Sequence, residues 1–210
     1  MRSRQSKRRL LGIDRSGPQP EATRSGRPLN PWTIPNAIGF ARLAGIPAFL
    51  VLSFSSPHGH DTVAIVLFAV VGWADYLDGF AARLTGQYSR LGALLDPVID
   101  RLLVISGMAV CWHFGLLPRW AIVVVIAREA LMLGLSRYAM QRGLELKINW
   151  PGRLAVAPIM GAPFFAMIGL HPLALALLYA GMALALSASA LYVWRGIQEI
   201  RDRRKLSSSA

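Results

Sequence analysis

Residues 75–100 of the chain have the sequence DYLDGFAARLTGQYSRLGALLDPVID. This stretch contains four aspartates, Asp75, Asp78, Asp96 and Asp100, in a chain with only 11 acidic residues. The first two are three residues apart and the last two are four apart, so each pair lies on one face if its segment is helical. The spacing predicts two carboxylate-bearing helix faces, which would form an acidic pocket if they turned toward each other.

Small residues accompany both pairs of aspartates. Gly79 and Ala82 follow Asp75 on the same helical stripe, and Gly92 precedes Asp96 by about one turn. They would leave room beside the carboxylates. Because four carboxylates cannot all stay ionised in a medium of low dielectric constant, divalent cations with oxygen ligands are the natural compensation.

The chain around this stretch is apolar and basic. Of its 210 residues 54% are hydrophobic, the mean hydropathy is +0.42 and the formal net charge is +12. Six apolar segments approach the roughly 20 residues that a helix needs to cross a bilayer. They cover residues 34–54, 62–82, 91–113, 120–140, 154–170 and 173–194. The sequence therefore predicts an all-α polytopic membrane protein with six transmembrane helices.

The positive charges indicate how the chain is oriented in the membrane. Most lie in the N-terminal arm, in alternate connections and in the tail, and Arg119 is the one Lys or Arg in the opposite set of loops. Because cytoplasmic loops retain positive charge, we expect both termini on the cytoplasmic side of the cell membrane. We expect a basic, disordered arm over 1–28, a membrane domain over 29–197 and a basic tail over 198–210. The same distribution argues against a nucleic-acid partner.

Ionisable side chains inside membrane spans cost about 2.5–3.5 kcal/mol each on insertion scales, which makes these aspartates candidates for function. Helical spacing alone leaves several classes of protein open. A metal-dependent enzyme, a cation-coupled transporter and a purely structural acidic helix pair all fit, as does an intramembrane prenyltransferase that binds diphosphates through Asp-rich helices.

The complete pattern is D-x2-D-G-x2-A-R-x8-G-x3-D-x3-D, and the chain matches it at every fixed position. This pattern is the signature of the CDP-alcohol phosphatidyltransferases, and the sequence resembles that family over nearly its whole apolar length. The resemblance implies a six-helix membrane fold, a homodimer and an active site open to the cytoplasmic leaflet. It also implies transfer of a phosphatidyl group from CDP-diacylglycerol to an alcohol, with release of CMP.

The resemblance assigns roles to the motif residues. Asp75, Asp78 and Asp96 would be the main ligands of two Mg²⁺ or Mn²⁺ ions, and Asp100, also close to the metals, would be the catalytic general base. The residues implied in binding the CDP moiety are Asp75, Asp78, Gly79, Ala82, Arg83 and Gly92.

Segments on either side of the motif bear on the acceptor. Thr33-Ile34-Pro35-Asn36 and Ala127-Arg128-Glu129 resemble the branch that contains phosphatidylglycerophosphate synthases and cardiolipin synthases. Two departures separate the chain from many phosphatidylglycerophosphate synthases: Arg101 stands where they have Lys, and Gly152-Arg153-Leu154-Ala155-Val156 stands where they have G-K-x-K-T.

We expect sn-glycerol 3-phosphate as the acceptor, with phosphatidylglycerol, which would give cardiolipin, as the alternative. The candidate contacts for an acceptor phosphate are Arg128, Arg137 and Arg153. Arg42, in the first apolar segment, is considered as an ion-pair partner of Glu129.

Overall fold

The computed structural model describes residues 29–141 and 150–208, and every regular element in that part of the chain is an α-helix. The six helices are α1 Ile34–Ser55, α2 Thr62–Thr85, α3 Arg90–Phe114, α4 Arg119–Gln141, α5 Trp150–Met167 and α6 His171–Ser208. Each coincides with one predicted apolar segment, which confirms the all-α prediction. The helix α6 continues well past residue 194, so most of the segment predicted as a tail is helical. The predicted arm, 1–28, lies outside the described residues.

Three of these helices are long and apolar enough to cross a membrane. They are α1, α2 and the part of α6 over His171–Gln198. Within α3 and α4 lie charged side chains such as Asp100 and Arg128, and the apolar part of α5 is limited to Leu154–Met167. A helix of about 20 apolar residues matches the thickness of the hydrocarbon core, so the described helices are those of a membrane protein.

Local sequence explains where the first helices begin and end. Thr33 is the N-cap of α1 and accepts a hydrogen bond at Oγ1 from the Asn36 N–H, at 3.3 Å. Asp61 caps α2 in the same way, with 2.7 Å between its Oδ1 and the backbone N of Ala64. Gly86 ends α2 with a φ of 66°, the left-handed conformation that glycine adopts without a steric penalty.

The chain divides into two compact units, Met1–Gly107 and Met108–Ala210, with the boundary inside α3. In the first unit α1 packs along α2. Phe49 and Phe68 join these helices with their ring centroids 5.0 Å apart, and both side chains are buried. Gly45 lies close to Val71, which lets the two backbones approach each other.

In the second unit α6 packs extensively against α5 and also against α4. Small residues allow the close approach of α5 and α6: a Cβ on Gly181 would lie 2.8 Å from Ile159 Cγ1 and 3.1 Å from its backbone N. Trp120 of α4 stacks on Tyr179 of α6 with 5.8 Å between ring centroids. The interface between α5 and α6 is therefore of the small-residue type that is common between membrane helices.

Large apolar side chains are exposed along the helices. Val51, Val63 and Val70 are each more than half exposed, and Trp73 is 74% exposed. In water such surfaces would favour aggregation or association, whereas acyl chains solvate them at little cost. These faces are suited to contact with lipid or with other apolar surfaces in the membrane.

Candidate active site

The two aspartates of α2 lie in its second half and differ in exposure. The Asp78 side chain is buried, whereas that of Asp75 is 48% exposed. They are three residues apart on one continuous helix, so both carboxylates can reach the same neighbouring group. This arrangement confirms the helical stripe that the spacing predicted.

The two aspartates of α3 lie in its first half, one turn apart. Both are partly buried, and the Asp100 side chain is 33% exposed. Ile99, between them and next to Asp100, is fully buried, so this part of α3 is packed in the interior of the first unit. The carboxylates of α3 are therefore held at the margin of a packed region and remain accessible from one side.

Arg42 of α1 connects the two pairs of aspartates. Its Nη1 donates to Asp75 Oδ1 at 3.1 Å and to Asp78 Oδ2 at 2.9 Å, and its Nη2 donates to Asp100 Oδ1 at 2.7 Å. Its Nε donates to the backbone carbonyl of Val71 at 3.1 Å. The guanidinium is only 1% exposed, so three helices meet at one buried cation.

Asp96 completes the acidic group. It interacts electrostatically with Asp78 and Asp75 of α2, with Asp100 of its own helix and with Arg42. Asp75 and Asp100 also interact electrostatically with each other. The four motif carboxylates therefore converge, as the two predicted helix faces required. We call these four aspartates together with Arg42 the aspartate cluster.

The donor chemistry of the aspartate cluster fits Mg²⁺ or Mn²⁺, because both ions prefer hard oxygen ligands such as carboxylates. Each of Asp75, Asp78 and Asp100 bonds Arg42 through a single carboxylate oxygen. Among residues 29–141 and 150–208, no group of three or more His, Cys, Asp or Glu side chains is arranged to hold a metal ion. The residue types fit a metal centre, whereas their arrangement here is that of an ion-pair cluster.

The ion pair considered between Arg42 and Glu129 is not the one that Arg42 forms, and its place in the aspartate cluster was not predicted. The structure bonds Arg42 to three aspartates, and it pairs Glu129 with the adjacent Arg128. A signal was present in the sequence: Arg42 lies on the same helical stripe as Gly39 and Ile46, both buried, and so was directed inward.

Three other motif residues, all in α2, were expected to bind the nucleotide. A Cβ built on Gly79 would lie 3.4 Å from Arg83 Nη1, so the Arg83 side chain folds back over Gly79. Ala82, which immediately precedes Arg83, is partly buried. A guanidinium is thus held about one helical turn from Asp78 and Gly79, on the helix that carries two of the four aspartates of the cluster.

Gly92 has a packing role that the motif alone did not indicate. A Cβ at this position would lie 2.8 Å from Asn36 Oδ1 and 3.1 Å from Ser89 Oγ. Ser89 caps the start of α3: its Oγ accepts from the Gly92 N–H at 2.9 Å and donates to Asn36 Oδ1 at 2.7 Å. An added Cβ at Gly92 would therefore meet protein side chains, and the nucleotide contact that the family resemblance implies for this residue stays a prediction.

The Thr33-Ile34-Pro35-Asn36 segment fixes the loop between the motif halves. The Ile34 N–H donates to Gln87 Oε1 at 3.1 Å, and the Asn36 amide donates to the backbone carbonyls of Asn30 and Pro31 at 2.9 and 3.1 Å. The bonds involving Gln87 and Ser89 attach the start of α1 to the loop before α3, and those to Asn30 and Pro31 hold the residues that precede α1. The segment therefore links α1 to the beginning of the helix that carries Asp96 and Asp100.

The candidate acceptor residues lie in the second unit. Arg128 of α4 donates from Nε to Ser189 Oγ at 2.9 Å and to the Ala185 carbonyl at 3.3 Å, both on α6, and it is paired with Glu129. Arg128 therefore joins α4 to α6 in this structure. Arg137 lies in α4 and Arg153 in α5, and their side chains fall outside what the structure describes.

The fold and the aspartate cluster define a helical membrane protein with a partly buried acidic centre, and comparison with known proteins gives its family. The family profile of CDP-alcohol phosphatidyltransferases matches residues 32–193. A CMP-forming cardiolipin synthase of Streptomyces coelicolor is 36% identical over 184 residues, which are 83% of this chain and 84% of the relative.

Two further relatives come from Mycobacterium tuberculosis. A putative cardiolipin synthase is 36% identical over 77% of this chain and 78% of its own length. A probable phosphatidylglycerophosphate synthase is 28% identical over 82% of this chain and 86% of its own length. The chain therefore belongs to the CDP-alcohol phosphatidyltransferase family, whose members use divalent metal ions, and it is an enzyme that transfers phosphatidyl groups.

Proposed function

We propose that this enzyme transfers the phosphatidyl group of CDP-diacylglycerol to phosphatidylglycerol, forming cardiolipin and CMP. The convergence of Asp75, Asp78 and Asp100 on one point of the first unit carries the chemical part of the proposal. Carboxylates gathered in this way suit a reaction in which divalent cations bind a diphosphate.

In the proposed site Asp75, Asp78, Asp96 and Asp100 hold two Mg²⁺ or Mn²⁺ ions. The bound ions would neutralise the diphosphate and stabilise the departing CMP. Arg83, held over Gly79, binds the diphosphate of the CDP moiety beside Asp75 and Asp78. Ala82 and Gly79 leave room for the nucleotide along the same helix stripe.

Asp100 acts as the general base in this proposal. It removes the proton of the acceptor hydroxyl, whose oxygen forms a bond to the phosphatidyl phosphorus while the bond from that phosphorus to the bridging oxygen breaks. CMP leaves with the bridging oxygen and its electron pair. The one-third exposure of the Asp100 side chain makes its carboxylate reachable by a hydroxyl group.

The choice of acceptor is supported by a comparison within one organism. The chain is more similar to the putative cardiolipin synthase of Mycobacterium tuberculosis than to that organism's probable phosphatidylglycerophosphate synthase, 36% against 28%, at comparable coverage. Arg101 and Arg153, where many phosphatidylglycerophosphate synthases have Lys, agree with this order. These observations support phosphatidylglycerol as the acceptor over sn-glycerol 3-phosphate, which the sequence alone favoured.

Transfer to sn-glycerol 3-phosphate, giving phosphatidylglycerophosphate, is the second candidate. It is supported by the full-length similarity to a phosphatidylglycerophosphate synthase and by the basic residues Arg128, Arg137 and Arg153, which suit a phosphate on the acceptor. Both candidates use the same donor and release the same nucleotide.

The proposed enzyme spans the cytoplasmic membrane six times, as a homodimer, with both termini in the cytoplasm. The six helices and the excess of Lys and Arg in the arm, the tail and alternate connections support this topology. The aspartate cluster would then open to the cytoplasmic leaflet, where CDP-diacylglycerol presents its polar headgroup.

The test is an acceptor-dependence assay. Purified protein in detergent is incubated with CDP-diacylglycerol and Mg²⁺, with either phosphatidylglycerol or sn-glycerol 3-phosphate, and both CMP and lipid products are followed. Cardiolipin and CMP formed only with phosphatidylglycerol support the proposal, whereas phosphatidylglycerophosphate moves the enzyme to the second candidate. Asp100→Asn serves as the inactive control in both reactions, and CMP release without either acceptor would contradict both assignments.

A further inference from the structure

Arg42 stands out among the cations of the described residues by its combination of burial and partners. It is 1% exposed and bonds three carboxylates from two helices, and its Nε is fixed to the Val71 carbonyl. The carboxylate oxygens that it bonds, Asp75 Oδ1, Asp78 Oδ2 and Asp100 Oδ1, belong to residues proposed above as metal ligands.

The charges of the cluster explain why a cation is needed there when no metal is bound. Four carboxylates converge, and the guanidinium of Arg42 can compensate only one negative charge among them. Like charges this close repel strongly where water is excluded. Arg42 lowers that repulsion in the metal-free protein, and its fork geometry lets one side chain bond several carboxylates at once.

A divalent ion bound to the same carboxylates would also lower the repulsion between them, and it carries twice the charge of the guanidinium. The ion and the guanidinium repel each other, and both attract the same oxygens. Binding of the ion therefore weakens the ion pairs of Arg42, and the ion pairs of Arg42 weaken binding of the ion, since the coupling between two ligands of one site is reciprocal.

We propose that Arg42 is the built-in counterion of the aspartate cluster, and that Mg²⁺ or Mn²⁺ competes with it for Asp75, Asp78 and Asp100. This inference rests on the proposed function in taking these aspartates as metal ligands. Arg42 is a positioning residue: it keeps the cluster assembled before the metal arrives, and it sets the concentration of metal at which the site fills.

The experiment uses full-length protein in detergent, stripped of metal with a chelator that is then removed. Wild type, Arg42→Met and Arg42→Lys are compared with Arg119→Met, which removes a cation of the second unit that lies 5.5 Å over the Trp112 ring. The unfolding temperature is measured without metal, and Mn²⁺ binding is measured by the loss of the free-ion electron paramagnetic resonance signal.

For metal-free Arg42→Met we expect an unfolding temperature lower by roughly 10 °C, because three carboxylates lose their partner. We expect its affinity for Mn²⁺ to rise by about tenfold, and its gain in unfolding temperature on adding Mn²⁺ to exceed that of wild type. Arg42→Lys should give values between those of wild type and Arg42→Met, since it keeps the positive charge but loses the forked guanidinium. Arg119→Met should bind Mn²⁺ with the affinity of wild type.

If Arg42→Met does not fold, adding Asp78→Asn should restore folding, because it removes the charge of a buried carboxylate. The Mn²⁺ affinity is then compared between wild type and Arg42→Lys. Arg42 variants that bind Mn²⁺ with unchanged or lower affinity would overturn the competition. Wild-type protein that neither binds Mn²⁺ nor releases CMP would refute the proposed metal site itself, so the two failures are distinguishable.

Discussion

Ser89 Oγ donates a hydrogen bond of 2.7 Å to Asn36 Oδ1, joining residues 53 positions apart in the chain. Both side chains are buried, and the bond ties the first turn of α1 to the residue that caps α3. The position of Asp96 and Asp100 therefore depends on a contact made by neither of them. Gly92 lies beside this contact and is the place to test it.

Gly92→Ala should destabilise the protein by about 1–3 kcal/mol, because the new Cβ would lie 2.8 Å from Asn36 Oδ1 and would force the pair apart. The measurement is the free energy of unfolding in detergent without metal. The matched control is Gly134→Ala in α4, where a Cβ meets nothing within 4 Å and helix propensity favours alanine by up to about 1 kcal/mol. A Gly92→Ala protein of normal stability with a raised KM for CDP-diacylglycerol would instead support the nucleotide role.

Asp75→Asn and Asp100→Asn should each lower acceptor-dependent CMP release by about 100-fold or more, since each removes a charge from the proposed metal ligands and Asp100→Asn also removes the proposed base. The matched control is Asp61→Asn, which changes an aspartate outside the motif and keeps an N-cap side chain for α2. Asp61→Asn should retain wild-type turnover. Normal turnover in Asp100→Asn would remove that residue from catalysis.

Ser189→Ala should cost about 1 kcal/mol of stability, because Arg128 Nε loses its 2.9 Å bond to Ser189 of α6 and retains the longer one to the Ala185 carbonyl. The free energy of unfolding in detergent measures this loss.

Steady-state kinetics separate two roles for Arg128. If Arg128 binds the acceptor, Arg128→Gln raises the KM for the acceptor and leaves the KM for CDP-diacylglycerol unchanged. A loss of stability with both KM values unchanged would restrict Arg128 to joining α4 and α6.

Gly181→Ala should destabilise the second unit by about 1–3 kcal/mol, because its Cβ would approach both the side chain and the backbone of Ile159. Thermal unfolding in detergent, again beside Gly134→Ala, measures the effect. Combining Gly181→Ala with Ile159→Ala should recover part of the loss, since the side-chain contact at 2.8 Å is then removed. If the two substitutions instead lower stability additively, the steric strain in Gly181→Ala comes from contact with the backbone of Ile159.

Sequence alone predicted the helices because each apolar segment is long enough to be recognised from its composition. It also predicted that Asp75 with Asp78 and Asp96 with Asp100 share helix faces, and it left open whether those two faces meet. These features depend on residues that are close together in the chain.

The contacts that sequence did not predict join residues far apart. The position of Arg42 in the sequence does not identify which of several acidic residues it pairs with. Its place on the same face of α1 as Gly39 and Ile46 indicates only that it points inward. The nucleotide role of Gly92 came from the family resemblance, which gives no account of its packing. Its contact with Asn36 and Ser89 arises only because three segments distant in sequence pack together.

The bonds of Arg42 also bear on how the protein is made. Arg42 belongs to α1, which leaves the ribosome before α2 and α3, and its partners Asp75, Asp78 and Asp100 follow 33, 36 and 58 residues later. A lone arginine in a span costs about 2.5–3.5 kcal/mol on translocon scales, so a nascent chain truncated before Asp75 should integrate less efficiently than the same chain with Arg42→Leu. Such a result would mean that stable integration of α1 requires the arrival of α2.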